Sequence, residues 1–539
     1  MTHVRWMHRV PRRVGAHGAV TAWLGVSILT LAAPAVAEGR DEDPWFRAGR
    51  AAVEGTRARI GPSGRARNAI LFLGDGMGVS TVTAARIFAG QQAGGLGEDH
   101  QLSFEALPHV GLVKTYNTNQ QVPDSAGTMT AIVSGVKTKA GVLGVGDAVV
   151  TGDHKSVAAA RVPTLFEEAE RAGRATGIVT TARLTHATPA ACYGHSAHRD
   201  WESDADLSAA ARGDGFPDLA RQFVEFAAGD GIDVAFGGGR ARFLPDHGLD
   251  PEDPEETGTR WDERDLMSEW QAAAPGRKTL WNLEQFRKID PEETGQVLGL
   301  FAPSHMSFEV DRAGDRAGEP SLSEMTATAL AILERQPGGY LLLVEGGRID
   351  HAHHANNAYR ALAETVEFAR AVELALRETR REDTLIVVTA DHGHPLSMAG
   401  YVTRGNPILG HARENRSDGS QAPALDGAGR PYTTLSYTLG PGNPGKTPLQ
   451  PEGPKSFPHY HPTGALPFGP ALRPDLSEVD TKDPGYLQET MLPLYAGTHS
   501  GEDVAVYADG PGAALFHGVQ EQSYLYHAMV EAMGLRSDE

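Results

Sequence analysis

The run Ala69-Ile70-Leu71-Phe72-Leu73-Gly74-Asp75-Gly76-Met77-Gly78 decides the fold class that we predict for this 539-residue chain. Five apolar residues without polar alternation predict a strand buried on both faces, and the glycines after them predict a tight turn. Similar apolar runs recur at residues 177–181, 340–344 and 385–389, and helical patterns lie between them at 163–172, 322–335 and 359–377. We therefore predict an α/β fold, with a mostly parallel central sheet flanked by helices on both faces.

Chemically active side chains follow three of these four predicted strands. Asp75 follows the first run, Glu345 the third, and the pair Asp391-His392 the fourth. The carboxyl ends of parallel strands meet at one edge of an open α/β sheet, where such sheets hold their ligands, so we expect these side chains to converge. Converging carboxylates repel one another unless cations lie between them. The pattern therefore predicts a centre with several metal ions.

Asp350 and His354 lie four residues apart at the start of a predicted helix. This spacing places both side chains on one helix face, where they could bind one metal ion together. His351 and His353 lie between them, and a solvated helix face with unrelated histidines explains the spacing equally well. The spacing alone leaves both interpretations open.

A serine lies in the stretch Val122-Pro123-Asp124-Ser125-Ala126-Gly127-Thr128. An aliphatic hydroxyl is a poor nucleophile unless a base, a shifted pKa or a metal ion activates it, and the downstream acids and histidines offer the metal. Ser125 can start a helix, so its hydroxyl could face an anion at the positive helix end; an ordinary capping serine is the alternative. Arg199 could donate two hydrogen bonds to phosphate oxygens, although most arginines are simply solvated.

The N-terminus has the pattern of an export signal. Arg5, Arg9, Arg12 and Arg13 precede an apolar run at residues 19–33, which ends in Ala35-Val36-Ala37. The alternative is a membrane anchor, but the run is shorter than the roughly 20 residues of a spanning helix and a small-residue cleavage site follows it. We predict a signal peptide over residues 1–37, a mature chain of 38–539 without a membrane span, and a periplasmic or secreted location. The Arg12-Arg13 pair also fits twin-arginine export.

The net charge of the mature chain limits the classes of partner that we expect. Removal of the four arginines leaves 45 basic against 69 acidic residues, a net charge of −24. This surface disfavours nucleic acid and anionic membranes as partners, whereas bound divalent cations would reverse the local field for a small anionic substrate.

Cys192 is the single cysteine, which excludes internal disulfides, and we predict it to be a small buried residue.

A long segment departs from the alternating pattern of strands and helices. Residues 395–486 hold 15 of the 34 prolines together with many glycines. Regular elements there must be short, so we predict an irregular insertion over about 395–490 that caps the site or meets a second subunit. For residues 417–429, disorder is the competing interpretation.

Together these residues resemble the alkaline phosphatase family from Asn68 to Gly534. Ser125 in its stretch matches the family's phosphorylated serine, and three further stretches match its metal motifs: Val344-Glu345-Gly346-Gly347-Arg348-Ile349-Asp350-His351, Thr389-Ala390-Asp391-His392 and Gly497-Thr498-His499-Ser500-Gly501-Glu502-Asp503. The resemblance implies the family's fold, a homodimer, and a phosphate-binding role for Arg199, which Asp124 would orient.

The same resemblance implies two zinc ions and one magnesium ion per chain. One zinc would be held by Asp350, His354 and His499, the other by Asp75, Asp391 and His392 facing Ser125, and magnesium by Asp75, Thr188 and Glu345. His186 and His351, also at the predicted metal centre, match animal-type members and differ from the bacterial prototype, which implies looser magnesium binding.

The departures from the animal-type pattern are also informative. Disulfides are impossible, and no apolar tail of a lipid-anchor signal follows Gly534. Glu252 and Phe301 are similar to calcium ligands of animal-type members, but Ala302 replaces a glutamate and Glu319 stands in place of an aspartate. These departures argue against a calcium site.

The resulting hypothesis is a secreted metal-dependent phosphomonoesterase that hydrolyses a broad range of small phosphate monoesters through a phosphoserine intermediate. A phosphodiesterase of the same superfamily is the first alternative. A sulfatase would need a Cys/Ser-x-Pro-x-Arg context, which Ser125-Ala126-Gly127-Thr128-Met129 does not supply. A non-catalytic phosphate-binding protein is the alternative from another class, and it would be expected to have lost ligands that are all present here.

Overall fold

The computed structural model of the chain describes residues 38–60, 64–459 and 467–535. The predicted signal peptide, residues 1–37, lies outside the described residues. Over the described part of the chain, we find no helix with both the length and the apolar character of a membrane span. Cys192 is a free, buried thiol, as predicted.

The helices of the described ranges are short except for four. They are α1 (Glu38–Glu42), α2 (Pro44–Ile60), α3 (Val79–Gln92), α4 (Ser125–Ser134), α5 (Val157–Ala160), α6 (Leu165–Arg171), α7 (Ala187–Ala190), α8 (Ala209–Gly213), α9 (Leu219–Val224), α10 (Leu266–Ala273), α11 (Leu283–Arg287), α12 (Leu322–Leu333), α13 (Arg348–His354), α14 (Ala358–Glu378) and α15 (Tyr524–Met533). The longer ones are α2, α3, α12 and α14.

The strands of the same ranges form three sheets. They are β1 (Asn68–Gly74), β2 (His109–Lys114), β3 (Ala175–Arg183), β4 (Val234–Gly238), β5 (Lys278–Leu280), β6 (Val297–Leu300), β7 (Tyr340–Gly346), β8 (Thr384–Ala390), β9 (Leu396–Met398), β10 (Arg413–Asn415), β11 (Gln421–Pro423), β12 (Leu435–Gly440), β13 (Thr490–Pro493), β14 (Val504–Asp509) and β15 (Gly518–Glu521).

The central sheet has ten strands in the order β15-β2-β14-β8-β1-β7-β3-β4-β6-β5. Of these described strands, only β14 runs antiparallel to its neighbours. The four predicted strands are β1, β3, β7 and β8, and they lie side by side at the sheet centre with helices on both faces. The predicted α/β fold with a mostly parallel sheet is therefore confirmed. Every residue of β1, β7 and β8 is buried, which explains their uninterrupted apolar sequences.

Two of the helices that pack against the central strands, α12 and α14, begin with side-chain caps. At the start of α12, Ser321 Oγ accepts from the Glu324 backbone N–H at 3.2 Å, and Glu324 Oε2 accepts from the Ser321 N–H at 2.8 Å. This reciprocal arrangement is a capping box, which satisfies two otherwise unpaired donors. At the start of α14, the Asn357 side chain accepts from the Arg360 N–H at 2.9 Å. Local sequence therefore fixes where both helices begin.

The register of the central strands brings their ends level. Gly74 pairs with Gly346 on one side and with Ala390 on the other. Asp75 and Asp391 each follow one of these paired residues, and Glu345 precedes Gly346 by one position. Because adjacent parallel strands lie about 4.8 Å apart, the three carboxylates meet at one edge. The convergence expected from the sequence follows from this register.

Residues 395–490 contain short elements only, among those described. Strands β13, β12 and β9 form a three-stranded sheet, and β10 pairs with β11 in a two-stranded one. Strand β11 lies within residues 417–429, for which disorder was the alternative. The division of the chain into one phosphatase domain with a capping insertion stays a prediction.

Candidate metal centre

Ser125 is the first residue of α4, and Asp124 is the residue that caps this helix. The Asp124 carboxylate accepts from the backbone N–H groups of Ala126 at 3.1 Å and Gly127 at 3.4 Å. The capping alternative for Ser125 is thus occupied by its neighbour, and the serine side chain is left for other contacts. Gly127 permits a close approach, because a Cβ there would lie 2.4 Å from Asn117 Nδ2 and 2.8 Å from the Lys139 carbonyl oxygen.

The Ser125 hydroxyl faces a group of two carboxylates and one imidazole. Ser125 Oγ lies 3.0 Å from His392 Nε2. The same nitrogen is 3.2 Å from Asp391 Oδ2 and 3.5 Å from Asp75 Oδ1. These side chains are buried, and both carboxylate oxygens of Asp75 lie there without a hydrogen-bond donor. Two oxygens and one nitrogen around one point form a donor set that suits a divalent ion.

The charge of these carboxylates is destabilised in the absence of a cation. Burial, followed by repulsion from Asp391, Asp350 and Glu345, raises the pKa of Asp75 well above its ordinary value. Burial raises the pKa of Asp391 to about 6. A bound cation would remove both penalties, since it compensates desolvation and repulsion at once. The electrostatics therefore fit the predicted metal ligands.

A second group lies next to the first and contains Asp350, His354 and His499. His354 Nε2 is 3.2 Å from Asp350 Oδ2, and His499 Nε2 is 3.5 Å from Asp350 Oδ1. His499 Nδ1 donates to the Pro123 carbonyl at 2.7 Å, and His354 Nδ1 donates to the Gly497 carbonyl at 2.5 Å, because a carbonyl can only accept.

These two hydrogen bonds decide which nitrogen of each neutral imidazole carries the proton. With the proton on Nδ1, the Nε2 lone pairs of His354 and His499 face each other at 3.2 Å in the neutral rings. Two lone pairs at this distance need a positive charge beside them, which either a metal ion or a proton on His354 supplies; burial opposes that proton, but Asp350 outweighs burial and raises the pKa of His354. An imidazole whose other nitrogen donates to a carbonyl is also the usual arrangement of a metal-ligating histidine. The second group therefore fits a divalent ion on chemistry independent of the first.

The residues predicted to hold magnesium also converge. Thr180 donates to Glu345 Oε2 at 2.5 Å, and Asp75, Glu345 and His186 each place one possible ligand atom within 4.8 Å of the others. Burial raises the pKa of Glu345 to about 8, although the hydrogen bond from Thr180 acts in the opposite direction. Oxygen-rich sites of this kind suit a hard cation such as Mg²⁺.

Arg199 lies in the same cavity as Ser125, which has a volume of about 740 Å³. Arg199 Nη1 forms an ion pair with Asp124, and Nη2 donates to His186 Nε2 at 3.1 Å. Burial opposes the ionisation of Asp124, but the Arg199 guanidinium outweighs it and holds the pKa of Asp124 well below its usual range. The arginine is thus a fixed, permanently charged donor beside the serine.

Replacing Asp124 by alanine is expected to raise the inhibition constant of inorganic phosphate about tenfold, the effect of losing one charge-assisted hydrogen bond that orients Arg199. Loss of the helix cap should also lower the free energy of unfolding by about 1 kcal/mol. Competitive inhibition by phosphate and urea unfolding measure the two effects. The matched control is Asp200→Ala, since Asp200 lies 3.9 Å from Arg199 Nε and is largely exposed, and its change should stay under about twofold. An unchanged inhibition constant in D124A contradicts the orienting role.

His186 and His351 belong to a cluster whose third member, His305, was missed. The His305 ring centroid lies 5.2 Å from that of His186 and 4.1 Å from that of His351. His351 Nδ1 accepts from Arg348 Nη1 at 3.2 Å, since a guanidinium can only donate. No sequence pattern pointed to His305, because it follows β6 at a distance of more than 100 residues from His186.

His394 was also missed, although the sequence offered a signal. Its Nε2 lies 2.5 Å from Asp350 Oδ1, so this imidazole holds the carboxylate of the second group. His394 follows His392 by two residues, and a second imidazole so close to a strand end could have been included. The other predicted residues of the site, including Asp124 and Arg199, come together in the structure.

The chain is similar to known proteins over most of its length. The alkaline phosphatase family model matches residues 66–535. The chain is 44% identical over 473 residues to the tissue-nonspecific isozyme of alkaline phosphatase from Gallus gallus, covering 87% of this chain and 84% of that protein. It is 43% identical over 474 residues to the tissue-nonspecific isozyme from Homo sapiens, covering 87% and 83%.

Solved structures of the same family share the fold. The alkaline phosphatase from Thermus thermophilus has a TM-score of 0.60 and 25% identity, with coverage of 88% of this chain and 93% of that one. The alkaline phosphatase from the Antarctic bacterium TAB5 has a TM-score of 0.54 and 20% identity, with coverage of 88% and 99%. The family model matches most of the chain and the relatives exceed 40% identity over most of both sequences, and the chain therefore belongs to the alkaline phosphatase family.

Proposed function

We propose that the chain is an exported phosphomonoesterase that transfers the phosphoryl group of a monoester to Ser125 and then to water. One observation carries the proposal. The Ser125 hydroxyl lies 3.0 Å from His392 at the start of a helix, in one cavity with Arg199 and beside two groups of metal-type ligands. A serine, an arginine and clustered carboxylates in this arrangement suit phosphoryl transfer.

The chain's own side chains would hold three ions. Asp350, His354 and His499 would hold one zinc; Asp75, Asp391 and His392 the other; and Asp75, Thr188 and Glu345 magnesium. His186 and His351 lie beside the magnesium ligands, where arginines occupy one nitrogen of each ring. When bound, such ions activate oxygen nucleophiles and neutralise negative charge on the phosphoryl group.

Ser125 carries the covalent step. Its Oγ forms a bond to phosphorus while the bond from phosphorus to the leaving oxygen breaks, and the proton of the hydroxyl finally resides on the released alcohol. Water then cleaves the phosphoserine, which restores the hydroxyl and releases inorganic phosphate. Arg199 donates to the non-bridging oxygens, and its charge is most valuable when these oxygens carry the greatest negative charge.

Export and assembly belong to the same proposal. A signal peptide at residues 1–37 would direct the chain to the periplasm or the medium, and the mature protein would form a homodimer in which the segment 395–490 caps the site.

Calcium is not part of the proposal. Arg240, a buried guanidinium, donates to Asp250 at 2.7 Å and to Glu252 at 2.9 Å, so a positive charge already satisfies the glutamate that resembles a calcium ligand.

Comparison of two substrates with the same leaving group tests the function. We expect kcat/KM for 4-nitrophenyl phosphate to exceed that for bis(4-nitrophenyl) phosphate by at least about 100-fold, because the extra negative charge of a monoester gains more from the cations and Arg199. The measurement is release of 4-nitrophenol under saturating Zn²⁺ and Mg²⁺. A ratio near or below one would identify a phosphodiesterase, and no hydrolysis of either ester would indicate a binding protein.

A further inference from the structure

A second cavity, which we call the outer cleft, opens beside the metal centre. It has a volume of about 830 Å³. Val122, Leu494 and Tyr495 form its apolar wall, and the uncharged polar residues Gln120, Gln121 and Thr498 also line it. His354 and His499 line both this cleft and the cavity that contains Ser125. The two spaces therefore share a boundary at the second ligand group.

The side chains of the centre lie in a row that leads from the serine to the outer cleft. Ser125 contacts His392, the His392 ring stacks on His499 with centroids 3.6 Å apart, and His499 contacts His354. Ser125 does not line the outer cleft, whereas His499 and His354, the last two members of the row, do. A phosphoryl group attacked by Ser125 must expel its leaving oxygen on the opposite side, because nucleophile and leaving group are in line. The alcohol portion of the ester then points into the outer cleft.

The chemistry of the two cavities differs sharply. Of the eleven described residues that line the outer cleft, none is an aspartate, glutamate, lysine or arginine. The cavity around Ser125, by contrast, is lined by four arginines and four carboxylates. Val122, Leu494 and Tyr495 expose 43, 37 and 39% of their surface, so apolar area is available to a ligand. An uncharged cleft on such an acidic chain favours an uncharged, apolar occupant.

The backbone that carries Leu494 and Tyr495 is fixed to the centre. The Gly497 N–H donates to the His354 carbonyl at 2.7 Å, and the His354 ring donates back to the Gly497 carbonyl. The Leu494 N–H donates to the Gly440 carbonyl at 3.2 Å. A Cβ at Gly497 would lie 2.9 Å from the His353 carbonyl oxygen, so glycine allows this close approach. The apolar wall is therefore held in place before a substrate arrives, which lowers the entropic cost of binding.

We propose that the outer cleft binds the leaving alcohol and, within a broad range of small monoesters, gives a preference for those of uncharged, apolar alcohols, both aryl and longer alkyl. This inference rests on the proposed function and names the substrate class of that site. The cleft contributes contacts to the part of the substrate that does not react, and charged alcohol portions lose these contacts because they must give up water without gaining a partner.

A series of n-alkyl phosphates from methyl to hexyl tests the cleft, because their leaving alcohols have similar reactivity and differ in apolar length. In the wild type, kcat/KM is expected to rise about two- to fourfold per methylene, fourfold being the limit for a fully buried one. Leu494→Ser and Tyr495→Ser should each flatten this rise, and Val122→Ser tests the facing segment independently. Tyr401→Ser is the matched control, since Tyr401 is 97% exposed and does not line the cleft. It should keep the wild-type rise.

Substrates with a charged group on the alcohol portion provide a second test of the outer cleft. A terminal carboxylate on the pentyl chain should cancel the gain from chain length in the wild type, and Ala496→Lys should restore it, because Ala496 lines the cleft and a lysine there would pair with the carboxylate. Restoration is a gain of function that misfolding cannot mimic.

The failures of the two proposals are distinguishable. If the wild type hydrolyses methyl phosphate and kcat/KM does not change with chain length, the cleft proposal is wrong and the proposed function stands. If no ester is hydrolysed, the proposed function itself is wrong. The apolar wall could instead contact a second copy of the chain. In that case Tyr495→Ser would lower the molar mass measured by light scattering without changing the chain-length dependence, which overturns the inference.

Discussion

Replacing Ser125 by alanine is expected to lower kcat for monoester hydrolysis by at least about 10⁴-fold, a loss of the size seen when a covalent nucleophile is removed from an enzyme. It should also abolish the covalent phosphoenzyme. The physical reason is that Ser125 Oγ is the hydroxyl that faces His392 at the start of α4, and alanine leaves the metal ligands in place without an acceptor for the phosphoryl group. Acid quenching of a reaction with radiolabelled substrate measures the phosphoenzyme directly.

Ser134→Ala is the matched control for this experiment. Ser134 is a buried serine on the same helix, and its hydroxyl donates to the Thr130 carbonyl at 2.6 Å, away from the centre. The control should lose about 1 kcal/mol of stability and retain the phosphoenzyme. Undiminished burst kinetics in S125A would show that another group accepts the phosphoryl group.

Removal of divalent ions by chelation is expected to lower the monoesterase activity by at least about 10³-fold, since activation of the nucleophile and neutralisation of the phosphoryl charge both depend on them. Addition of Zn²⁺ and Mg²⁺ together should restore it. Metal analysis before and after chelation should show two zinc ions per chain in the active form. Full activity in metal-free protein would contradict the whole arrangement of the centre.

Chelation should also change the pH dependence of stability. The pKa of Glu345 is raised to about 8 and that of Asp75 is raised as well, so the folded metal-free chain binds more protons than the unfolded chain up to about pH 8. Stability contributed by a raised carboxyl pKa is lost as pH rises, so the free energy of unfolding should fall from pH 7 to pH 9, by about 1 kcal/mol or more. Histidines with lowered pKa, such as His392 at about 4, are neutral in the folded chain throughout this window, but in the unfolded chain each still binds a fraction of a proton at pH 7 and offsets the fall by about 0.2 kcal/mol. Glu170 and Glu364, whose pKa burial also raises to about 8, add to the fall.

Urea unfolding at pH 7 and pH 9, with and without metals, measures this effect. The fall should be larger in the metal-free chain, because bound cations keep these carboxylates ionised in the folded state. Asp75→Asn provides the internal comparison: it removes one repelling charge, so it should stabilise the metal-free chain at pH 9 and destabilise the metal-loaded chain. A metal-free wild type that is more stable at pH 9 than at pH 7 would contradict the assignment.

The centre of the fold could be predicted because its strands are buried on both faces. Such strands have uninterrupted apolar sequences, so β1, β3, β7 and β8 could be recognised. The polar residues that follow them, such as Asp75, must lie at the edge of the sheet. Strands β5 and β6 were not predicted, since they have three and four residues and their pairing depends on long-range contacts. Local sequence carries no information about such pairing.

The candidate metal ligands could be predicted for a similar reason, whereas the residues that support them could not. Asp350 and His354 share a helix face, and this local spacing can be recognised in the sequence. His305 approaches His186 and His351 only through tertiary packing, so no spacing predicts it. The outer cleft was missed as well, because Val122 and Tyr495 are more than 370 positions apart and only the folded chain brings them to one wall.

The separation between the ligand-bearing strands and the segment that carries Leu494 and Tyr495 has a consequence for evolvability. Reactivity depends on residues anchored in the rigid middle of the sheet, and discrimination among alcohols depends on a few half-exposed positions outside it. Mutations at the half-exposed positions of the outer cleft can therefore change the preference for one alcohol over another without changing the residues that we predict to hold the metal ions. Directed evolution confined to positions 120–122 and 494–496 should yield new selectivities at little loss of turnover.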